Sequence, residues 1–307
     1  SSGYTGKKLD GTTDNAIKES MLVDNVYDLQ NMDAKLSSDA YHENTIGNYM
    51  LAGDIDASDT ENWNSGAGFS PVGSEKMFDG TFDGANHTIK GLYINRPTMD
   101  HVGLFGWIYT DTQPATIQNV VLVKGSIAGQ GSVGGVVGES TSGTITNVHN
   151  EGMVEGTGAG YVGGVVGYID SGTITNAYNT GTISGTDFNI GGIAGYNSGT
   201  IMNAYNTGTV KGNTVVGGIV GENGGTITNA YNTGTVSGTN YVGGIVGGEY
   251  AGTISNVYNT GEVSSEYANV GGVMGETRGG TISNALWAND LSYTPAEGYN
   301  KPTKAVG

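Results

Sequence analysis

The 307-residue chain contains no cysteine, which excludes disulfides, thiolate metal sites and cysteine nucleophiles. Its net charge is −17 and its only arginines are Arg96 and Arg278. Nucleic acids and anionic membrane surfaces are therefore disfavoured as partners, because phosphate contacts need clustered cationic side chains. No apolar run approaches the roughly 18 residues that a membrane-spanning helix needs, so no membrane insertion is predicted. These absences indicate a protein with a mutually repelling acidic surface.

Proline is also scarce, with 5 residues, whereas glycine accounts for 56. Collagen is excluded because glycine does not recur at every third position. Disorder is disfavoured because Val, Ile and Tyr return in register along much of the chain. The composition is typical of short strands joined by tight turns.

A Thr-Ile-x-Asn tetrad recurs seven times, at successive spacings of 28, 29, 27, 26, 27 and 28 residues. The tetrads begin at Thr116, Thr144, Thr173, Thr200, Thr226, Thr253 and Thr281. A unit of this length cannot bury its apolar side alone, so neighbouring units must stack into a solenoid. A solenoid offers a long surface and only exceptionally a pocket, which argues against an enzyme.

Within residues 214–240, three strand-like pieces are separated by glycines: Val216–Val220, Thr226–Tyr231 and Thr235–Ser237. Three strands and three turns per coil of 26–29 residues predict an all-β fold, a single-chain parallel β-helix. Each strand then pairs with its equivalent in the next coil. The paired glycines of the recurring Val-Gly-Gly piece are expected where the coil bends sharply or where backbones approach closely.

The chain before the repeats has a different pattern. Residues 24–36 have helical spacing, with Asp24 or Asn25 as N-cap and Val26, Leu29, Met32 and Leu36 on one side. Strands are expected within 49–55, 77–82 and 88–94. Because the open end of a solenoid exposes unpaired backbone, a cap is expected there. The predicted divisions are a disordered or vector-derived tail (1–8), an N-terminal cap with one short helix (9–60), irregular first coils (61–101), the repeats (102–284) and a C-terminal tail or truncated next coil (285–307).

The tetrad asparagine is predicted to form a structural ladder. Strand alternation places Ile227 inward and its two flanking threonines outward, so Asn229 is expected to face inward, close to a corner. Identical amides stacked at about 4.8 Å can hydrogen-bond to one another, which would satisfy a buried polar group. The equivalent residues are Asn119, Asn147, Asn176, Asn203, Asn229, Asn256 and Asn284.

The segment VGGIVGENGGTITNAYNTGTV, residues 216–236, strongly resembles the GLUG repeat. The segments GFSPVG (68–73), FDGTFDGANHTIKGLYI (78–94) and VGLFG (102–106) are similar to the same proteins. GLUG repeats occur in large bacterial surface and secreted proteins, including filamentous-haemagglutinin-like adhesins and the non-catalytic regions of IgA-specific metallopeptidases. The resemblance implies a right-handed β-helix, located outside the cell or on the bacterial surface, that serves adhesion or acts as a stalk.

The resemblance does not imply an active site. The zinc motif His-Glu-x-x-His of the peptidases is absent, because His42 and Glu43 are followed by Asn44 and Thr45 without a second histidine. No catalytic, cofactor or metal site is predicted. The aspartates at 54, 56, 59, 79 and 83 match no calcium motif and are expected to form turns. Glu139, Glu222 and Glu276 share one repeat position and are expected to keep a corner soluble.

One aromatic column is the candidate surface site. Tyr178, Tyr205, Tyr231 and Tyr258 occupy one repeat position, with His149 in the same column. If they face outward, they form a strip suited to sugar rings or partner proteins. Regular aromatic columns are more often packing, so an inward or corner stack is the favoured interpretation.

The predicted function is a non-enzymatic, extracellular adhesin or stalk segment. It displays a repetitive binding surface to an unidentified glycan or protein of a host or bacterial surface, and it gains avidity along that surface. One alternative is a surface filament subunit that associates end to end. Others are a carbohydrate-active β-helix enzyme and an ice-binding solenoid, the latter suggested by the Thr-x-Thr pairs at 144, 173 and 226.

Overall fold

A computed structural model describes residues 20–37, 47–110, 115–267, 269–288 and 292–293. The chain is an all-β parallel solenoid of about nine turns with about 28 residues per turn. Equivalent strands pair in parallel without register slips; Ile201, for example, has Ile174 and Ile227 as its partners. The predicted parallel β-helix is therefore confirmed. The predicted tail at 1–8 and most of the tail at 285–307 lie outside the described residues.

The coils build four sheets, named faces one to four in the order in which the chain visits them. Face one contains the strands Ser20–Val23, Asn48–Leu51, Ile55–Asp56, Thr81–Asp83, Thr88–Lys90, Thr116–Val123, Thr144–Asn150, Thr173–Asn179, Thr200–Asn206, Thr226–Asn232, Thr253–Asn259 and Thr281–Trp287. Face two contains Tyr93–Arg96, Ser126–Gly129, Met153–Gly156, Ile183–Gly185, Val210–Lys211, Val236–Gly238, Val263–Ser265 and Ser292–Tyr293.

The remaining two faces are formed by shorter strands. Face three contains Val133–Gly134, Val162–Gly163, Phe188–Gly191, Thr214–Gly217, Asn240–Gly243 and Val270–Gly271. Face four contains Phe105–Ile108, Val137–Ser140, Val166–Ile169, Ala194–Asn197, Val220–Asn223, Val246–Glu249 and Met274–Thr277.

The repeats have four strands per coil, so the prediction of three is wrong. The piece predicted as one strand, Val216–Val220, is divided between Thr214–Gly217 on face three and Val220–Asn223 on face four. A Cβ atom on Gly218, between the two strands, would collide with the carbonyl oxygen of Gly244 in the next coil and with the Asn232 side chain. The expectation that the paired glycines mark a bend with close backbone approach is confirmed.

The region before the repeats contains a helix, Val26–Ser37, and a 3-10 segment, Ser58–Gly66. Asn25 is the N-cap of the helix, because its Oδ1 accepts hydrogen bonds from the backbone N–H groups of Tyr27 (2.9 Å) and Asp28 (3.1 Å). Val26, Leu29 and Met32 are buried on one side of the helix. The side chain of Leu36, predicted for the same side, lies outside the described residues.

This N-terminal region also extends face one. The strand Ser20–Val23 pairs with Asn48–Leu51, which pairs with Thr81–Asp83, and that strand pairs with Thr116–Val123 of the first tetrad. The predicted pieces at 49–55 and 88–94 are present but each divided in two, and of the piece predicted at 77–82 only residues 81–82 lie in a strand, Thr81–Asp83. The phenylalanines at 69, 78, 82 and 105 fill the core of the first coils, whereas stacked Val, Ile and Ala fill the repeats.

Candidate functional site

Face one carries the predicted aromatic column on its outer surface. The rings of Tyr178 and Tyr205 stack with centroids 4.2 Å apart, and the Tyr205–Tyr231 and Tyr231–Tyr258 pairs stack at 4.9 Å. The first three tyrosines are partly exposed and Tyr258 is 43% exposed. The favoured interpretation, an inward or corner stack that fills the core, is therefore wrong. The aromatic column belongs to the surface.

The tetrad asparagine explains why the tyrosines face outward. Asn229 has a left-handed backbone, with φ 54°, and the register with the next strand passes from Thr228 directly to Ala230. Thr228 and Asn229 consequently both face solvent, Ala230 returns to the core, and Tyr231 points out again. The strand thus contains one extra outward residue, and its partner strand contains the equivalent Asn256, so the register is kept. Asparagine is well suited to this position because it tolerates the left-handed region better than most residues.

The seven tetrad asparagines form a hydrogen-bonded ladder on the outside of face one. Each Nδ2 donates to the Oδ1 of the preceding coil at 2.9–3.2 Å, and Asn119 donates to Asp83 at 2.9 Å. The members are Asn119, Asn147, Asn176, Asn203, Asn229, Asn256 and Asn284. Their predicted inward orientation is wrong, because the left-handed residue shifts the alternation by one position. We call this row the outer ladder.

A second asparagine row lies inside the coil and was missed by the sequence analysis. Asn150, Asn179, Asn206, Asn232 and Asn259 are at most 1% exposed, and each of the first four donates to its equivalent in the following coil at 2.7–3.0 Å. We call this row the inner ladder. Its signal in the sequence is the recurring Asn-x-Gly that follows the tyrosine or histidine.

Asn206 and Asn232 in the inner ladder use all their side-chain hydrogen-bonding capacity. Nδ2 of Asn206 donates to Gly208 O (2.9 Å) and to Asn232 Oδ1 (2.8 Å). Its Oδ1 accepts from Gly208 N (3.2 Å) and from Asn179 Nδ2 (2.7 Å). Two donors and two acceptors exhaust a primary amide, so burial leaves no unpaired polar group. The inner ladder therefore anchors the corner directly beneath the tyrosine column.

His149 begins the aromatic column. Its ring meets Tyr178 edge to face at a centroid distance of 6.3 Å, and its Nε2 lies 3.3 Å from Thr180 Oγ1. Burial lowers the pKa of His149, and the nearby Glu151 carboxylate only partly opposes that shift. At neutral pH the histidine is therefore an uncharged member of the column. At the other end, Leu286 follows Tyr258 in register and is 69% exposed.

The geometry limits what the column can bind. Because consecutive rings stack on one another, the faces of the inner tyrosines are covered and only ring edges and hydroxyl groups remain open. A sugar ring cannot lie flat on a covered face. The column instead offers a row of phenol hydroxyls repeating at the strand spacing of about 4.8 Å, beside the exposed amides of the outer ladder. Burial raises the pKa of Tyr231, so this hydroxyl stays protonated and can donate.

Metal and membrane features are absent from the part of the chain that the structure describes. There, no three His, Asp or Glu side chains gather as metal ligands. None of the helices in the same ranges has the length and apolarity that a bilayer crossing requires.

Comparison with known proteins identifies the repeats. Residues 158–184, 186–211 and 212–237 match the GLUG motif, which confirms the resemblance. A stretch of 143 residues is 36% identical to halomucin of Haloquadratum walsbyi, and it covers 44% of this chain and 2% of halomucin. A candidate immunoglobulin A1 protease of Bacteroides ovatus superposes with a TM-score of 0.60 over 94% of this chain and 82% of that one. At 20% identity, this last likeness shows the fold alone.

Proposed function

We propose that this GLUG-repeat solenoid is a non-enzymatic display segment of a large secreted or cell-surface protein. Face one would bind a glycan or protein on another surface, and the solenoid would hold this binding surface away from the cell. The observation that carries this proposal is the outward aromatic column, in which four tyrosines repeat in strict register. Resemblance to a small part of the much longer halomucin supports a segment of a large protein.

Avidity is the proposed binding mechanism. One phenol hydroxyl or one exposed amide forms a weak contact in water, because solvent competes for the same hydrogen bond. Four tyrosines and the adjoining outer ladder repeat the contact at one spacing, so an elongated partner with a matching repeat would engage several at once. Linked contacts of this kind multiply affinity without requiring a deep pocket.

The direct test is binding of the 307-residue chain to immobilised glycans and extracellular matrix proteins. We expect the Tyr205→Ser/Tyr231→Ser double variant to lose at least tenfold in affinity for any partner found, because both central contacts of the column are removed. The matched control is Ser237→Ala/Ser264→Ala, which removes two hydroxyl groups at register-paired positions in neighbouring coils of face two. Equal losses in both variants, or no binding to any surface, would reduce the chain to a spacer.

The non-enzymatic part of the proposal has a separate test. Incubation with acidic and neutral polysaccharides should release no new reducing or unsaturated ends. Turnover that Glu222→Gln abolishes would contradict this part and favour the carbohydrate-active alternative.

A filament subunit is the second candidate, and one observation favours it. Ile282 is 40% exposed, whereas its equivalents in the preceding repeats, such as Ile227 and Ile254, are fully buried. The strand Thr281–Trp287 thus presents an apolar side that a coil of a second molecule, or a following coil of a longer chain, could cover. Electron microscopy of the purified chain separates the two candidates, since a display segment gives single rods and a filament subunit gives concentration-dependent fibres.

A further inference from the structure

Two side-chain columns meet along the corner between faces three and four. On face three, one valine or isoleucine of each coil pairs with its equivalent in the next coil. The first column consists of the residues directly before these positions: His101, Ser132, Tyr161, Asn189, Val215, Tyr241 and Asn269. The second, on face four, is Trp107, Glu139, Tyr168, Tyr196, Glu222, Gly248 and Glu276. The three glutamates expected to keep a corner soluble all belong to this second column.

The first half of this corner is filled by its own side chains. The rings of His101 and Trp107 stack at a centroid distance of 5.0 Å, and His101 Nε2 lies 2.9 Å from Glu139. Tyr168 and Tyr196 stack at 4.8 Å, and the Tyr161 ring lies 4.9 Å from Tyr168. These ring contacts pack the side chains of this half against one another.

The second half is open, because both columns contain small side chains there. Gly248 takes the position that tyrosine occupies at 168 and 196, and Asn189 and Val215 are smaller than Tyr161. The result is a groove of about 390 Å³. That volume lies at the lower end of the range for small-molecule sites and suits one or two sugar rings.

The groove walls combine aromatic rings with carboxylates. Tyr241 and the half-exposed Phe188 lie on the face-three side, and Glu222 and Glu276 lie on the face-four side. The two glutamates are separated by the Gly248 strand, which places their Cα atoms roughly 10 Å apart at the usual strand spacing. Burial raises the pKa of Glu222, while a hydrogen bond from Asn189 and the charge of Arg278 partly oppose that shift.

A cation is already supplied by the chain itself. Arg278 Nε donates to Glu276 Oε1 at 3.2 Å, and Nη1 donates to the Tyr250 hydroxyl at 2.8 Å. The guanidinium also lies 5.0 Å from the centroid of the Tyr250 ring. Because Arg278 already neutralises Glu276, a second cation would be repelled. Anions are disfavoured by Glu222 and by the net charge of −17.

We propose that this corner groove binds one or two neutral pyranose rings of a glycan. Hydroxyl groups of the sugar donate to Glu222 and accept from Arg278, and its C–H face lies against Tyr241 and Phe188. Open aromatic walls beside paired polar groups distinguish the corner groove from the tyrosine column, whose ring faces are covered. The site is independent of face one and extends the proposed function to a second ligand contact.

The test uses the 307-residue chain and a panel of neutral sugars: glucose, galactose, mannose, N-acetylglucosamine and their β-linked disaccharides. Saturation-transfer NMR and calorimetric titration should detect at least one sugar with a Kd of about 1 mM, the strength expected for a ligand of this size in an open site. Gly248→Tyr refills the groove with the residue found at 168 and 196, so binding should weaken at least tenfold. Gly248→Ser, which leaves most of the groove open, is the matched control.

Two further variants test the same groove if Gly248→Tyr does not fold. Phe188→Ala removes a side chain that is 50% exposed, so the fold is retained, and we expect a severalfold weaker Kd. Glu222→Gln should weaken binding by about tenfold, because it replaces a charged acceptor with a neutral one. The face-one double variant Tyr205→Ser/Tyr231→Ser should leave sugar binding unchanged, which separates this inference from the proposed function. Failure of every neutral sugar to bind, equal binding by all groove variants, or preference for glucuronate or lysine methyl ester would overturn the inference.

Discussion

The inner and outer ladders of face one have the same chemistry and opposite surroundings. Both are rows of asparagine amides at the strand spacing, with Nδ2–Oδ1 distances of 2.7–3.0 Å inside and 2.9–3.2 Å outside. The inner amides are buried, and Asn206 and Asn232 among them use every donor and acceptor, whereas most of the outer amides are open to water. The free energy lost on removing one of these hydrogen bonds therefore depends on whether water can take the place of the missing amide. Water replaces the outer contacts, and nothing replaces the inner ones.

The two ladders also donate in opposite directions. Outer amides donate towards the N-terminal coils and end at the carboxylate of Asp83, whereas inner amides donate towards the C-terminal coils. A third, shorter row on face four runs from Asn197 through Asn223 and ends at the buried carboxylate of Glu249. A carboxylate is a natural end to a donating row because it only accepts. Glu249 lies in the interior, where the loss of hydration makes its negative charge unfavourable.

Disrupting the inner ladder should lower the free energy of unfolding the most. Asn206→Ala removes four hydrogen bonds and leaves Asn179, Asn232 and Gly208 with unpaired buried groups. We expect a loss of about 3 kcal/mol in the free energy of unfolding, measured by chemical denaturation. A loss below about 1 kcal/mol would show that water reaches the inner amides.

The buried end of the third row should respond to pH. Burial raises the pKa of Glu249, and the hydrogen bond from Asn223 only partly opposes this shift. A raised pKa means that the folded chain binds the proton more tightly than the unfolded chain. Stability from this group is therefore fully present below the ordinary pKa of 4.5 and is lost as pH rises through the raised value.

Glu249→Gln removes this charge. We expect the variant to be more stable than the parent by about 1 kcal/mol at pH 7, with the two converging at pH 4.5 and below. Some pH dependence should remain in the variant, because burial also raises the pKa of Glu222. Denaturation curves measured at several pH values check the prediction, and a constant difference across that range would contradict it.

Much of the fold could be predicted from the sequence because the repeat itself carries the information. The tetrad spacing predicts stacked coils, Asn25 predicts the start of the helix, and the paired glycines predict a bend with close backbone approach. The direction of Asn229 and Tyr231 could not be obtained by counting alternate residues, since one left-handed residue shifts the phase of the whole strand. The corner groove could not be predicted for another reason. It forms where Gly248 on face four lies beside Val215 on face three, and no local sequence pattern indicates that these residues are close.

Backbone strain at the corner groove gives a smaller test. Val215 has φ 58°, although a β-branched side chain is unfavourable in the left-handed region, and its equivalents Asn189 and Asn269 have φ 56° and 70°. Val215→Asn should therefore raise stability by about 1 kcal/mol in the same denaturation assay. A destabilised variant would mean that the packing of the valine methyl groups outweighs the strain.

Disrupting the outer ladder should change the free energy of unfolding the least. Asn203→Gly removes one exposed amide and supplies a residue that adopts φ 54° without steric cost. We expect stability to change by less than about 0.5 kcal/mol, in contrast to Asn206→Ala three residues away. A loss above about 1.5 kcal/mol would remove the distinction between the two ladders.

The most direct test of the account concerns the outward column of face one, from His149 to Tyr258. Because the chain has no cysteine, a spin-label pair at these two positions is free of background labelling. Four strand spacings separate the positions, so pulsed dipolar spectroscopy should give a narrow distribution near 19 Å plus the reach of the labels, and both labels should be accessible to water. A broad distribution, or labels shielded from water, would contradict an exposed column of tyrosines in register.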